Sequence, residues 1–143
     1  MKEINTEIGI SSTPEKVWET LMDLPNWSNW NPIVNKIEGN LKIGQELYIT
    51  MSSSNGNDGK KYKSIIGELD ENKRFTFVAI IMTKLMFSSE RIIELRERDS
   101  GTILTQREIY TGLMVSLFWN KLSSDAYKML NSMNKALKKE IEK

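Results

Sequence analysis

The side chains best able to do chemistry in this sequence begin with an arginine on a predicted strand. Arg91 shares a period-2 register with Ser89, Ile93 and Leu95. In a strand with one buried face, residues of the same parity lie on the same side of the sheet. Arg91 is therefore expected to point inward, where a guanidinium needs a hydrogen-bonded or charged partner.

Candidate partners lie on the next predicted strand, where Gln106, Glu108 and Tyr110 share one face with Leu104. The opposite face is nearly as apolar, so both orientations of this strand stay open. If the first face is inward, we predict that Arg91 and these three polar residues line a cavity and orient a ligand carboxylate, hydroxyl or carbonyl. The alternative is a structural ion pair or a set of solvated charges.

Apolar side chains complete the predicted ligand site. Phe77 lies on a predicted strand, Met129 and Met133 lie one turn apart on a predicted helix, and Trp27 lies in a short aromatic segment. Aromatic rings supply large apolar area, and flexible methionines suit a cavity that adapts to ligand shape. The alternative is an ordinary filled core, which is the interpretation we favour for Trp30.

Composition narrows the possible chemistry further. The sequence has no Cys and no His, which removes thiolate nucleophiles, zinc–thiolate sites and the usual general base. Twenty Lys and Arg against nineteen Asp and Glu give a net charge of +1, so nucleic acid is not expected as a partner. We predict no catalytic residue, no metal and no cofactor, with proton transfer by Glu108 or a tyrosine as the enzymatic alternative.

Helices and strands that position these residues can be predicted from the periodicity. The alternation of Ile4, Ile8 and Ile10 with polar residues predicts a first strand. Thr13 and Pro14 then have the chemistry of a helix start, and a second short helix or turn is expected around Trp27. Six further strands are predicted at Ile33 to Glu38, Glu46 to Ser52, Lys61 to Leu69, Arg74 to Met82, Phe87 to Glu97 and Thr102 to Thr111.

After Gly112 the apolar spacing changes to three and four residues, which predicts one long C-terminal helix. Segregated strands and helices indicate an α+β domain with a helix on an antiparallel sheet. A strongly twisted sheet around such a helix leaves apolar space at its concave face. We expect residues 1–143 to form a single domain.

Three short motifs in this order resemble a known superfamily. They are Ser12 to Trp18, Trp30 to Pro32, and Gly101 to Glu108 running into Gly112 and Leu113. The chain is similar in these segments to the START/Bet v 1-like superfamily, in its SRPBCC (polyketide cyclase/dehydrase-like) branch. The resemblance implies a helix-grip fold, in which a curved seven-stranded antiparallel sheet wraps around a long C-terminal helix and encloses a cavity for an apolar ligand.

The resemblance leaves the function open. We expect binding of a small hydrophobic or amphipathic ligand, such as a lipid or an aromatic polyketide-like compound. One alternative is an aromatase/cyclase-like enzyme, and another is a protein-interaction module such as a chaperone cofactor, acting through the sheet or the loop Ser53 to Gly59. The first residues lack a signal-peptide core, and the longest apolar run, Phe77 to Met82, is too short for a membrane span. A cytoplasmic protein without integral membrane association is therefore expected.

Overall fold

The polypeptide forms one antiparallel sheet with helices on its concave side, which confirms the predicted α+β helix-grip class. The computed structural model describes residues 1–81, 83 and 85–143. In chain order the elements are β1 (Lys2–Ile10), α1 (Pro14–Met22), a 3₁₀ turn (Leu24–Asn26), α2 (Trp27–Trp30), β2 (Val34–Gly39), β3 (Glu46–Ser52), β4 (Asp58–Asp70), β5 (Arg74–Ile80), β6 (Ser88–Arg98), β7 (Gly101–Thr111) and α3 (Val115–Glu142).

The sheet order is β1-β7-β6-β5-β4-β3-β2, with antiparallel neighbours throughout. Strands β2 to β7 form a meander, and β1 returns to pair with β7, so that Ile4 lies opposite Glu108. The ladders shift register within residues 34–36, 50–52 and 66–68. Bulges of this kind bend and twist a strand, and these three help to curl the sheet toward α3.

Helix α1 begins where its sequence predicts. Thr13 is the N-cap, and its side-chain oxygen accepts a hydrogen bond of 3.3 Å from the backbone N–H of Lys16. Pro14 occupies the first turn, where its missing N–H costs no helical hydrogen bond. The helix buries Val17 and Leu21 against the sheet, which fixes one end of the core.

Helix α3 lies across the concave face of the sheet. Its buried face carries Ala126, Leu130, Met133 and Leu137, at the three- and four-residue spacing of an amphipathic helix. A polar residue, Asn134, is buried on the same face at 1% exposure. The second half of α3 packs into the main core, whereas its first half borders the cavity described below.

The C-terminal end of α3 is tied to the turn after β1. Glu142 Oε2 accepts hydrogen bonds from Lys138 Nζ at 2.6 Å and from the backbone N–H of Ser11 at 2.8 Å. Lys138 Nζ also donates to the carbonyl oxygen of Gly9 at 2.7 Å. The hydrogen bond from Lys138, followed by that from Ser11, lowers the pKa of the Glu142 carboxyl below its ordinary value of 4.5.

The junction between β7 and α3 depends on Gly112. Its φ of +121° is in a region that side-chain-bearing residues rarely adopt. A Cβ at this position would collide with the backbone carbonyl of Met86, in the connection between β5 and β6. Met114 N donates to that same carbonyl oxygen at 3.1 Å, so the start of α3 is held against the connection that precedes β6.

Two strand boundaries differ from the sequence-based prediction by more than one residue. Strand β4 begins at Asp58 instead of Lys61, because Ser53 N donates to the carbonyl oxygen of Asn57 at 2.8 Å and closes a tight turn. The predicted loop Ser53 to Gly59 is therefore shorter than expected. Strand β5 ends at Ile80, whereas the prediction extended it to Met82. Met82 lies outside the described residues, as does Lys84 in the segment that follows.

Candidate functional site

A cavity of about 450 Å³ lies between the concave face of the sheet and the first half of α3. This volume falls within the roughly 300–1,000 Å³ that is usual for small-molecule sites. One wall is apolar and comes from β3, β5 and α3, together with the residue after β5 and the residue before β6. Its members are Ile49, Met51, Phe77, Ala79, Ile81, Phe87, Leu122 and Met129.

Strand β5 shows how the core passes into the cavity. Phe75 is fully buried, whereas Phe77 and Ala79, on the same face of the strand, line the cavity. The rings of Phe75 and Phe77 lie 5.3 Å apart. One strand face thus fills the core at its beginning and borders open space toward its end.

An ion pair forms the polar end of the cavity. Arg91 on β6 lies opposite Glu108 on β7 in the strand register. Arg91 Nε and Nη2 both donate to Glu108 Oε2, at 3.0 Å and 2.8 Å. The two residues are 8% and 7% exposed, and both line the cavity. Arg91 therefore has the charged partner that its burial requires.

Behind the ion pair, a hydrogen-bonded network connects the sheet to α3. Arg91 Nη1 donates to Gln106 Oε1 at 3.3 Å, and Gln106 Nε2 donates to Asn134 Oδ1 at 2.6 Å. Asn134 Nδ2 donates to Thr6 Oγ1 at 2.9 Å, and Thr6 Oγ1 donates to the backbone oxygen of Gln106 at 2.9 Å. A satisfied network of this kind fixes side-chain positions in a buried environment.

Tyr110 stands beside the ion pair and is 3% exposed. Burial, and after it the negative charge of Glu108, raises the pKa of the Tyr110 phenol. The phenol therefore stays protonated at neutral pH and can both donate and accept a hydrogen bond. Its ring makes edge contacts with Phe87 and Trp119, at centroid distances of 6.0 Å and 5.9 Å, which hold the hydroxyl in place.

These geometries define what the site can do chemically. The apolar wall can remove a hydrocarbon or aromatic surface from water. Arg91, Glu108 and Tyr110 can orient one polar group at the inner end. The guanidinium carbon of Arg91 also lies 5.7 Å from the centre of the Phe77 ring, a cation–π distance that joins the polar end to the apolar wall.

Five of the eight predicted site residues line the cavity, and three do not. Those that line it are Phe77, Arg91, Glu108, Tyr110 and Met129. Gln106 lies behind Arg91 at 0% exposure and supports it instead of facing the cavity.

The other two predicted residues, Trp27 and Met133, belong to the packed core. Trp27 is 2% exposed, and its indole N–H donates to the carbonyl oxygen of Leu21 at 2.9 Å. Its ring contacts Trp30 at 5.6 Å, so it packs α2 onto the neighbouring elements. Met133 is 1% exposed because it lies one turn beyond Met129, where α3 meets the filled core.

Sequence reasoning missed several residues that the structure brings to the site. Tyr62 and Ser64 line the cavity on β4, and their shared parity with buried Ile66 was a signal that could have identified them. Thr6 lies on the same face of β1 as Ile4, so its burial could also have been predicted from the sequence. Asn134 lies among apolar residues at helical spacing, and such a position indicates a buried polar contact.

Within the residues that the structure describes, no three acidic side chains come close enough together to hold a metal ion. Within the same residues, no helix combines the length and the apolar character needed to cross a membrane.

The strand order, the long C-terminal helix and the cavity between them define the class of helix-grip, Bet v 1-like proteins. A family model described as polyketide cyclase/dehydrase and lipid transport matches residues 1–142. The chain belongs to this family, within the START/Bet v 1-like (SRPBCC) superfamily.

Solved structures show the same fold at low sequence identity. A protein from Chromobacterium violaceum superimposes with a TM-score of 0.77 at 15% identity, covering 99% of this chain and 97% of that one. Ara h 8.0201 gives a TM-score of 0.73 at 14% identity, covering 98% and 97%. The di-domain ARO/CYC StfQ of the steffimycin biosynthetic pathway gives 0.70 at 13% identity, covering 94% of this chain and 47% of that one.

No protein of curated function matches the sequence.

Proposed function

We propose that residues 1–143 form one ligand-binding domain that takes up a small hydrophobic or amphipathic molecule between the sheet and α3. The observation that carries this proposal is the cavity of about 450 Å³ with an apolar wall and a polar inner end. In a filled core, the face of β5 that carries Phe77 and Ala79 would be covered by α3. Here it borders space that a ligand can enter.

The expected energetics favour an apolar ligand with one polar group. Burial of apolar surface contributes about 25 cal/mol for each Å² removed from water. The buried ion pair of Arg91 and Glu108 fixes the orientation of the ligand, because a ligand oxygen gains a hydrogen bond only when it reaches that end of the cavity. Such a division of roles, with apolar area for affinity and few polar groups for orientation, is usual in small-molecule sites.

The family suggests which classes of molecule to test first. Its description names polyketide cyclases, dehydrases and lipid transport, and one structural neighbour is an ARO/CYC protein. Lipids and aromatic polyketide-like compounds are therefore the first ligand classes for this chain. Both have an apolar body and at least one oxygen that the polar end can orient.

An aromatase/cyclase-like enzyme is the second candidate, and Tyr110 is the observation that favours it. A phenol that stays protonated beside a cation can polarise a substrate carbonyl as a general acid. Under this proposal Tyr110→Phe abolishes turnover of a poly-β-keto substrate and leaves its binding within a few-fold of the wild type. Equal turnover by Tyr110→Phe would count against the enzymatic candidate.

Native mass spectrometry of the freshly purified protein tests the binding proposal directly. We expect a reproducible 1:1 adduct, which denaturing extraction releases as an identifiable small molecule. In parallel, thermal unfolding with a panel of lipids and aromatic compounds should show a rise in Tm for the ligand class that binds. A clean apo mass, together with no shift across the panel, would contradict the proposal and direct the next experiment to protein partners.

A further inference from the structure

The charge of Arg91 is already balanced before any ligand enters. Glu108 Oε2 accepts two of its N–H groups, and Gln106 Oε1 accepts a third. Both side chains of the ion pair are almost fully buried. The polar end of the cavity thus contains one positive and one negative group in contact, with no net charge between them.

We propose that the ligand of this cavity has a neutral oxygen, a carbonyl or a hydroxyl, as its polar group and not a carboxylate. This inference rests on the proposed binding function and specifies the ligand class of that same site. It selects between the carboxylate, hydroxyl and carbonyl groups that the polar end as a whole could bind.

The argument begins with the electrostatics of a second anion. A ligand carboxylate at this end would share Arg91 with the carboxylate of Glu108, and like charges at close range oppose each other. Burial strengthens this repulsion, because the interior screens charge less than water does. The ligand would also lose its hydration without gaining an unpaired cation in exchange.

A neutral oxygen finds complementary groups at the same place. A guanidinium has five N–H donors, and the contacts to Glu108 and Gln106 use three of them. The Tyr110 hydroxyl is hydrogen-bonded to the Glu108 carboxylate, and its oxygen can still accept from a ligand hydroxyl. The two remaining N–H groups of Arg91 can donate to a ligand carbonyl or hydroxyl oxygen. Oxygen Oε1 of Glu108 receives neither of the two bonds from Arg91, so its lone pairs can accept from Tyr110 and from a ligand hydroxyl.

Another cation of the cavity, Lys60, does not change this preference. It lies at the beginning of β4 and is exposed. An exposed ammonium interacts weakly with an anion, because water and salt screen the charge. Lys60 therefore serves as a control for acid binding at the rim of the cavity.

The test compares ligands that share one body and differ in the polar group. Decanoate, decan-1-ol and decan-2-one form the aliphatic series, and 2-naphthoate with 2-acetylnaphthalene forms the aromatic pair. Isothermal titration calorimetry at pH 8, with free ligand kept below its aggregation limit, measures Kd for the wild type, Glu108→Gln and Lys60→Gln. Glu108→Gln keeps the side-chain shape and an acceptor oxygen while it removes the balancing negative charge.

We expect the wild type to bind the neutral members at least about tenfold more tightly than the acids in whichever series it accepts. In Glu108→Gln the ratio of acid to neutral affinity should rise by about tenfold or more, because no carboxylate then neutralises the positive charge of Arg91. Lys60→Gln should keep the wild-type ratio within about threefold.

Three results would overturn the inference, and they separate it from the proposed function. Tighter binding of the acids than of the neutral compounds by the wild type contradicts the inference. It is also contradicted if Glu108→Gln still binds decan-1-ol but has the same ratio of acid to neutral affinity as the wild type. Both of these results leave the binding function standing. Absence of binding by every compound in both series removes the proposed function itself, and the inference with it.

Discussion

Asn134 on α3 and Thr6 on β1 are joined by a buried hydrogen bond of 2.9 Å, although 128 residues separate them in the chain. Through Gln106 the same network reaches Arg91 at the cavity. The position of the helix and the orientation of the cavity arginine are therefore coupled by side chains that do not face the ligand space.

Replacing Asn134 tests this network. We expect Asn134→Ala to lower the free energy of unfolding by about 1–3 kcal/mol, because it leaves the buried side-chain N–H of Gln106 without its acceptor and removes the donor to the Thr6 hydroxyl. Urea denaturation measures the change. Asn131→Ala is the matched control, since among the described residues its side-chain amide bonds to nothing but the backbone oxygen of Tyr127 in the same helix. Equal losses in both variants would contradict a special role for Asn134.

The ion pair of Arg91 and Glu108 should behave as one buried unit. Either Arg91→Met or Glu108→Leu alone should cost about 3–5 kcal/mol, since each leaves one charge unpaired. The double variant should be more stable than the sum of the two losses predicts, because no lone charge remains. A double-mutant cycle by urea denaturation measures this coupling, and additive losses would count against it.

Filling the cavity should remove binding without unfolding the protein. Ala79→Phe places a ring in the space next to Phe77, and we expect it to weaken decan-1-ol binding by about tenfold or more. Its free energy of unfolding should change by less than about 1.5 kcal/mol, because the space is not packed. Val78→Phe, on the opposite face of β5, is the control and should leave Kd unchanged. Similar Kd values for both variants would place the ligand elsewhere.

Gly112 should tolerate no side chain. Gly112→Ala combines an unfavourable positive φ with a collision against the Met86 carbonyl. Gly56→Ala has a positive φ of +84° but meets no atom within 4 Å. We therefore expect Gly112→Ala to be at least about 1 kcal/mol less stable than Gly56→Ala, as measured by thermal unfolding. The reverse order would show that the β7–α3 junction adjusts easily.

Acid should loosen the attachment of α3 to the turn after β1. The lowered pKa of Glu142 means that the folded state binds its proton less readily than the unfolded state. This contribution to stability is present above pH 4.5 and is lost as the pH falls through the lowered pKa. Glu142→Gln should therefore be less stable than the wild type at pH 7, with a smaller difference at pH 3.

Unfolding curves across this pH range measure the effect. Glu140→Gln is the control, because Glu140 pairs with Lys143 just after the helix, and replacing it leaves the contact between Glu142 and Ser11 intact. A pH-independent difference between Glu142→Gln and the wild type would contradict the linkage.

Much of the fold was predictable because its signals are local. The alternation in β1 and β6 and the helical spacing in α3 each depend on neighbouring residues. The pair of Arg91 and Glu108 was predictable as well, since a charge on an apolar strand face requires a partner. The inward face of β7 was not, because both of its faces are rich in apolar residues and the choice depends on where α3 lies.

The limits of the cavity could not be predicted from residue types. Trp27 and Met133 have the same apolar character as Phe77 and Met129, yet they fill the core. The difference depends on where each residue lies relative to the other elements, which residue type does not encode. Asn134 and Thr6 were missed for a related reason. The burial of each could be predicted from its spacing to apolar residues, but the partner of each is distant in the sequence.

The pairing of β1 with β7 has a consequence for synthesis of the chain. Ile10 pairs with Thr102, so β1 leaves the ribosome long before its hydrogen-bonding neighbour exists. Until β7 has been synthesised, β1 has no strand to pair with and its isoleucines stay exposed. Contacts between segments that are distant in the sequence also form slowly. Nascent chains that stop before residue 101 should therefore expose an unpaired apolar strand, which is a substrate for chaperones and a site for aggregation.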